Sequence, residues 1–76
     1  MAYDKSLDVQ SFNEVVEMDK TRITIGVWQY NGGIKKLQIG RENIVDGQWS
    51  FTKLSRMTRP EVEAVLPIII RAVEVM

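Results

Sequence analysis

The chain has neither cysteine nor histidine among its 76 residues. Without cysteine no disulfide can staple the fold, and without either residue the usual structural zinc site is excluded. The commonest general base and the thiol nucleophile are missing too. Glycine occurs at only five positions, and none of them builds a phosphate-cradling loop between a strand and a helix. Glu42 and Asp46 read as a solvated strand glutamate and a turn aspartate rather than as paired carboxylates or a magnesium site. The chain is therefore expected to be non-enzymatic, with no cofactor and no metal. It also lacks an apolar run of membrane-spanning length, and Met1-Ala2-Tyr3-Asp4-Lys5 lacks the apolar core of a signal peptide. These absences lead to the expectation of a protein that is not membrane-bound. Its expected setting is cytoplasmic or otherwise intracellular, such as a nucleoid or a viral replication site.

What is present is a hidden charge asymmetry. Ten bases and ten acids balance overall. From Met1 to Asp19, however, Lys5 stands alone against five acids, and from Pro60 onward Arg71 stands against three. The segment from Lys20 to Arg59 holds the other eight bases and only Glu42 and Asp46, a local charge of +6. The local field, not the total, is what attracts phosphate.

The pattern reads as strands first and one helix last, an α+β chain. Residues 1–11 are polar and acidic and are expected to form a flexible arm, leaving 12–76 as the folded domain. Phe12 to Met18 is expected to be a short strand. Thr21 to Tyr30 alternates Ile23, Ile25 and Val27 with Arg22, Thr24, Gly26 and Trp28. Asn31-Gly32-Gly33 supplies a tight hairpin turn, Ile34 to Glu42 returns, Asp46-Gly47 turns again, and Trp49 to Leu54 makes a fourth strand. The apolar set Ile23, Ile25, Val27, Leu37 and Ile39 shares one sheet face. Arg22, Thr24, Trp28 and Tyr30 share the other with Lys36 and Gln38, and Trp49, Phe51 and Lys53 join them if Leu54 faces the core.

Thr58-Arg59-Pro60-Glu61 has the form of a capping box opening a helix, and Pro67 falls inside that helix, where a kink is expected. Apolar residues cover well over half of its circumference, more than one sheet can bury. A domain of this size buries only about 60% of its unfolded surface, so a single chain is expected to expose much of Ile68, Ile70 and Val75. A homodimer through the helices, with Leu66, Ile69, Ile70 and Val73 at the interface, would cover the excess.

Interleaved aromatics and cations on an open sheet suit unpaired bases. Rings stack on base faces while Lys and Arg follow phosphates. The apolar and acidic helix is unsuited to a duplex groove. At this point the chain shows a resemblance. The order of four strands and a capped helix, with Tyr30-Asn31-Gly32-Gly33 leading into Lys35-Lys36-Leu37-Gln38-Ile39, resembles the transcriptional coactivator family known as positive cofactor four, from about Arg22 to the C-terminus. The resemblance implies a homodimer of curved antiparallel four-stranded sheets with helices at the interface. It implies binding of single-stranded DNA or melted duplex with little sequence specificity, in transcription, replication, recombination or repair. Tyr30 takes the place of the family's stacking aromatic at the hairpin tip. The family's basic-Gly-basic tip is replaced by Asn31-Gly32-Gly33, with Lys35 and Lys36 following. The family's third-strand arginine falls at Gly40, next to Arg41, whose participation would require a bulge at Gly40. Lys53 and Arg56 resemble the basic pair before the helix, and Trp28 stands where the family often has a base.

The expected nucleic-acid-binding set is thus Arg22, Trp28, Tyr30, Lys35, Lys36, Arg41, Phe51, Lys53 and Arg56. The expected ligand is single-stranded DNA, with RNA or melted duplex as further ligands and replication, recombination or transcription proteins as partners. The rival reading is a dimeric protein–protein or regulatory module that uses the same aromatic face. The acidic arm, lying over the basic segment, would compete with nucleic acid, unless it is an inert tail.

Overall fold

A computed structural model describes residues 4–76. A short 3₁₀ turn, Lys5–Leu7, leads into β1 (Asp8–Met18), β2 (Thr21–Tyr30), β3 (Lys35–Val45), β4 (Gln48–Thr52) and a final helix, α1 (Arg59–Val73). The four strands form one antiparallel sheet in the order β1-β2-β3-β4, and the helix lies against β1 and β2. The expected ββββα architecture is the one observed.

Turn chemistry places the hairpins where the sequence marked them. Asn31 and Gly32 adopt φ values of 49° and 71°, and Asp46 and Gly47 adopt 51° and 77°. Such paired positive φ angles match the right-handed twist of the flanking strands. The strand ends differ from expectation. β1 starts at Asp8, inside the segment read as an arm, because Asp8, Val9 and Gln10 pair with Tyr30, Gln29 and Trp28. Residues 1–3 of that arm lie outside the described residues. β3 continues to Val45, since Asn43 to Val45 pair with Gln48 to Ser50.

The core lies between β2 and one stripe of α1. Ile23, Ile25 and Val27 alternate onto the helix side, where Val65, Ile68 and Ala72 meet them, with Phe12, Val16, Leu37, Ile39, Met57 and Ile69 around the edge. Glu61, Val65, Ile68 and Ala72 are the buried helix residues, spaced i, i+4, i+7, i+11 along one face. Ile68, expected to be exposed in a single chain, is 8% accessible and belongs to this core. One step round the helix a second apolar stripe faces outward: Leu66, Ile70 and Val73 are 53%, 57% and 59% exposed, while Ile69 sits half-buried between the stripes. The helix runs unbroken through Pro67, which lies on the exposed side. There the carbonyl that its missing N–H leaves unpaired can meet water.

A charged cluster ties the helix start to the sheet. Arg41 grips Glu61 with two bonds, Nη1 to Oε2 at 2.7 Å and Nη2 to Oε1 at 3.0 Å. Arg41 also donates to Thr21 Oγ1 at 3.0 Å and to the Arg56 carbonyl at 3.4 Å. Glu61 Oε1 accepts from the Thr58 N–H at 2.8 Å while Thr58 Oγ1 accepts from the Glu61 N–H, completing the capping box. At the far end of the helix Arg71 pairs with Glu14 of β1. The Arg41 side chain is 11% exposed and that of Glu61 8%, so removing either partner strands a buried charge.

The hydrogen bonds from Arg41, followed by that from the Thr58 N–H, hold the Glu61 carboxyl down at about 2, against an ordinary 4.5. A carboxylate depressed on folding stabilises fully above its unfolded pKa, and the gain is lost as pH falls through the folded one. Urea midpoints are therefore expected to fall as pH drops from 4.5 to 2. Glu61→Ala is expected to cost about 3–5 kcal/mol at neutral pH and to flatten that acid slope. Both are read from circular dichroism unfolding curves.

Candidate nucleic-acid interface

The helix covers one face of the sheet and leaves the other open. Cross-strand pairing decides which side chains share the open face. Arg22 pairs with Glu42, Thr24 with Gly40, Gly26 with Gln38 and Trp28 with Lys36. Phe51 pairs with Glu42, and Trp49 with Ile44. Trp28, Trp49, Phe51, Arg22 and Lys36 therefore come together on this face. Phe51 is 84% exposed. Trp49 is half-buried because the Arg22 guanidinium stacks 4.4 Å from its ring centroid. Arg22 Nε also donates to Glu42 Oε1 at 2.8 Å, and that bond raises the Arg22 pKa above its ordinary value.

A bulge in β1 extends the face in a way alternation alone does not foretell. The β1–β2 register shifts between Gln10 and Phe12, which leaves Ser11 as the extra residue. Phe12 turns to the core opposite Val27, while Gln10 turns to the open face opposite Trp28. Two shallow hollows follow. One, of about 280 Å³, is bounded by Gln10, Thr24, Gly26, Trp28, Gln38, Gly40, Glu42 and Phe51. The other, of about 370 Å³, lies between Trp28, Tyr30, Gly33, Ile34, Lys36 and Asp8. Trp28 lines both.

Other members of the expected set are placed elsewhere. Arg41 lies opposite Ile23 on the helix side, and the β2–β3 ladder runs without a register shift past Gly40. The bulge that would turn Arg41 outward is absent, and its guanidinium is held by Glu61. Lys35 lies opposite Gln29, also on the helix side, and its Nζ donates to the Val75 carbonyl at 2.9 Å. There it offsets the negative end of the helix dipole. Arg59 pairs with Glu63 on the helix surface. Lys53 and Arg56 sit exposed on the connection between β4 and α1, and the Arg56 carbonyl serves the Arg41 cluster.

Tyr30 stands at the end of β2, and its hydroxyl accepts from the Asp4 N–H at 2.9 Å. Asn31 N–H donates to the Leu7 carbonyl at 2.8 Å, so the 3₁₀ turn is docked against the hairpin. The face also carries acids, since Asp8 lies opposite Tyr30 and Glu17 opposite Arg22. Its positive charge is accordingly smaller than the segment total, with Lys36 outside any ion pair among the described residues. The sequence reading missed Gln10, Glu42 and Gly40 as parts of the face. The pairing partners of Arg22 and Thr24 reveal the last two, but nothing in the sequence marks the bulge.

The exposed Phe51 has no packing role, so Phe51→Ser is expected to change stability by no more than about 0.5 kcal/mol. Ile25→Ala on the opposite face is expected to cost about 2–5 kcal/mol. Urea unfolding of the two variants checks the contrast. Compared with protein families, with curated proteins and with solved structures, the chain shows no match.

Proposed function

We propose that the open sheet face binds single-stranded DNA, without sequence specificity along most of its length, and that two chains associate through the outer stripe of α1. The observation that carries the reading is the uncovered face itself. Two tryptophans and Phe51 stand on it, Trp28 beside Lys36, with two hollows where planar groups can enter. A sheet that buried this face against another layer would need no exposed Phe51. Base stacking on rings contributes about 1–3 kcal/mol per base and tolerates any sequence, because every base has a π-face. Lys36 stands beside Trp28 on the face, and Lys53 and Arg56, exposed on the connection into the helix, are further cations for phosphates. The resemblance to the positive cofactor four family supports the same reading, including roles in transcription, replication or recombination where unpaired strands arise. RNA and melted duplex are further ligands of the same chemistry. The dimer reading rests on Leu66, Ile70 and Val73, whose exposure costs less once a second copy covers them.

The shared charge of the face favours one alternative. Arg22 is already paired with Glu42, and Asp8 and Glu17 stand nearby. A polypeptide partner on the aromatic face would suit that balance, as in a regulatory module.

Salt separates the two. Affinity for a fluorescent oligo-dT is expected to fall steeply as salt rises, whereas an apolar protein interface is insensitive. Trp28→Ala is expected to weaken binding by about 1–3 kcal/mol, and Lys36→Ala to lower the salt slope by about one. A flat salt response, or full affinity in both variants, rejects the interface. In sedimentation, the native chain is expected as a dimer and Ile70→Asp as a folded monomer.

A further inference from the structure

Two glycines lie near one another on the open face, Gly26 in β2 and Gly40 in β3, offset by two residues in the register. Glycine inside a strand weakens it and often marks a site where something approaches closely. Gly26 has a reason within the fold. A Cβ there would sit 2.9 Å from Gln10 Nε2 and 3.2 Å from Trp28 Nε1, so its absence lets both side chains lie across the strand. Gly40 has no such reason. It is not among the positive-φ glycines, its ladder is regular, and a Cβ on it would meet no atom within 4 Å. What its missing side chain leaves is the floor of the hollow of about 280 Å³.

We infer that Gly40 keeps open a seat for one unpaired nucleobase, and that the seat favours cytosine or adenine over thymine. The inference rests on the single-strand reading of the face and deepens it. Trp28 and Phe51 line the hollow and offer rings to a base, while Thr24, Gln38, Gln10 and Glu42 border it with polar groups. Glu42 sets the preference. Its Oε1 accepts from Arg22, and its Oε2 has no hydrogen bond among the described residues. An ionised carboxylate only accepts, so Oε2 suits the N4 amino group of cytosine or the N6 amino group of adenine. Thymine presents a carbonyl at the equivalent position and is disfavoured. The carboxamides of Gln38 and Gln10 can donate to the ring nitrogen beside that amino group. The rest of the face, which stacks and follows phosphate, stays indifferent to sequence.

The test measures binding of the full chain to short oligo-dC, oligo-dA and oligo-dT at one fixed salt concentration, by fluorescence anisotropy. The native protein is expected to bind dC and dA at least about fivefold more tightly than dT. Gly40→Val is expected to melt no lower than the native chain, since its side chain enters open space and valine suits strands. It is expected to bind the three oligonucleotides alike, more weakly, and still in a salt-dependent way. Gly40→Ala, a single added methyl, gives the same comparison should valine disturb the fold. Native affinity and preference in the Gly40 variants, or no preference in the native chain, overturns the seat. The single-strand reading survives that result if Lys36→Ala still weakens binding. Failure of the native chain to bind any of the three at low salt overturns both.

Discussion

The grip of Arg41 on Glu61 is the constraint around which the molecule is arranged. It joins the middle of β3 to the first turn of α1, and through Thr21 and the Arg56 carbonyl it also holds β2 and the connection into the helix. The same carboxylate closes the capping box on Thr58. One residue pair thus fixes where the helix begins and which sheet face it covers. Once the helix is committed to the Ile23, Ile25 and Val27 side, the face with Trp28 and Phe51 is left open. A buried pair contributes little net stability over an apolar one, but its geometry admits fewer alternatives.

That arrangement reassigns the positive charge of the middle segment. Arg41 and Lys35, two of its eight bases, serve the helix, one at each end. Arg22 is shared between Glu42 and the Trp49 ring. The cations thus hold the scaffold together as well as facing outward, and the open face carries less unpaired positive charge than the count of bases suggests.

The architecture was legible because its signals are local. Period-two alternation from Thr21 to Tyr30, paired turn residues at Asn31-Gly32 and Asp46-Gly47, and a capping box at Thr58 each act over a few residues. The assignment of Trp28, Trp49, Phe51 and Lys36 to one face followed from alternation and pairing. What was not legible depends on contacts far apart in the chain. Alternation turns Arg41 to the helix side, but that Glu61, twenty residues on, holds it there is not readable from the strand. Lys35, opposite Lys36 in the alternation, likewise falls on the helix side, where its partner is the Val75 carbonyl forty residues away. The early start of β1 reflects pairing with β2 that its polar composition conceals, and Ile68 is core because the helix presents that stripe rather than the next. Side-chain period specifies a face only while the register is regular, so the bulge in β1 hid Gln10.

The same bulge bears on how copies of this chain can meet. β1 is an edge strand, and an edge of unpaired backbone groups is a template on which further strands can stack without limit. The shift between Gln10 and Phe12 interrupts that template, Asp8, Glu14 and Glu17 add like charges along it, and the opposite edge, β4, is only five residues long. Growth of the sheet from chain to chain is thereby discouraged at both sides. An interface built on the outer stripe of α1, as proposed, would close after two copies, whereas an open sheet edge could propagate into fibres.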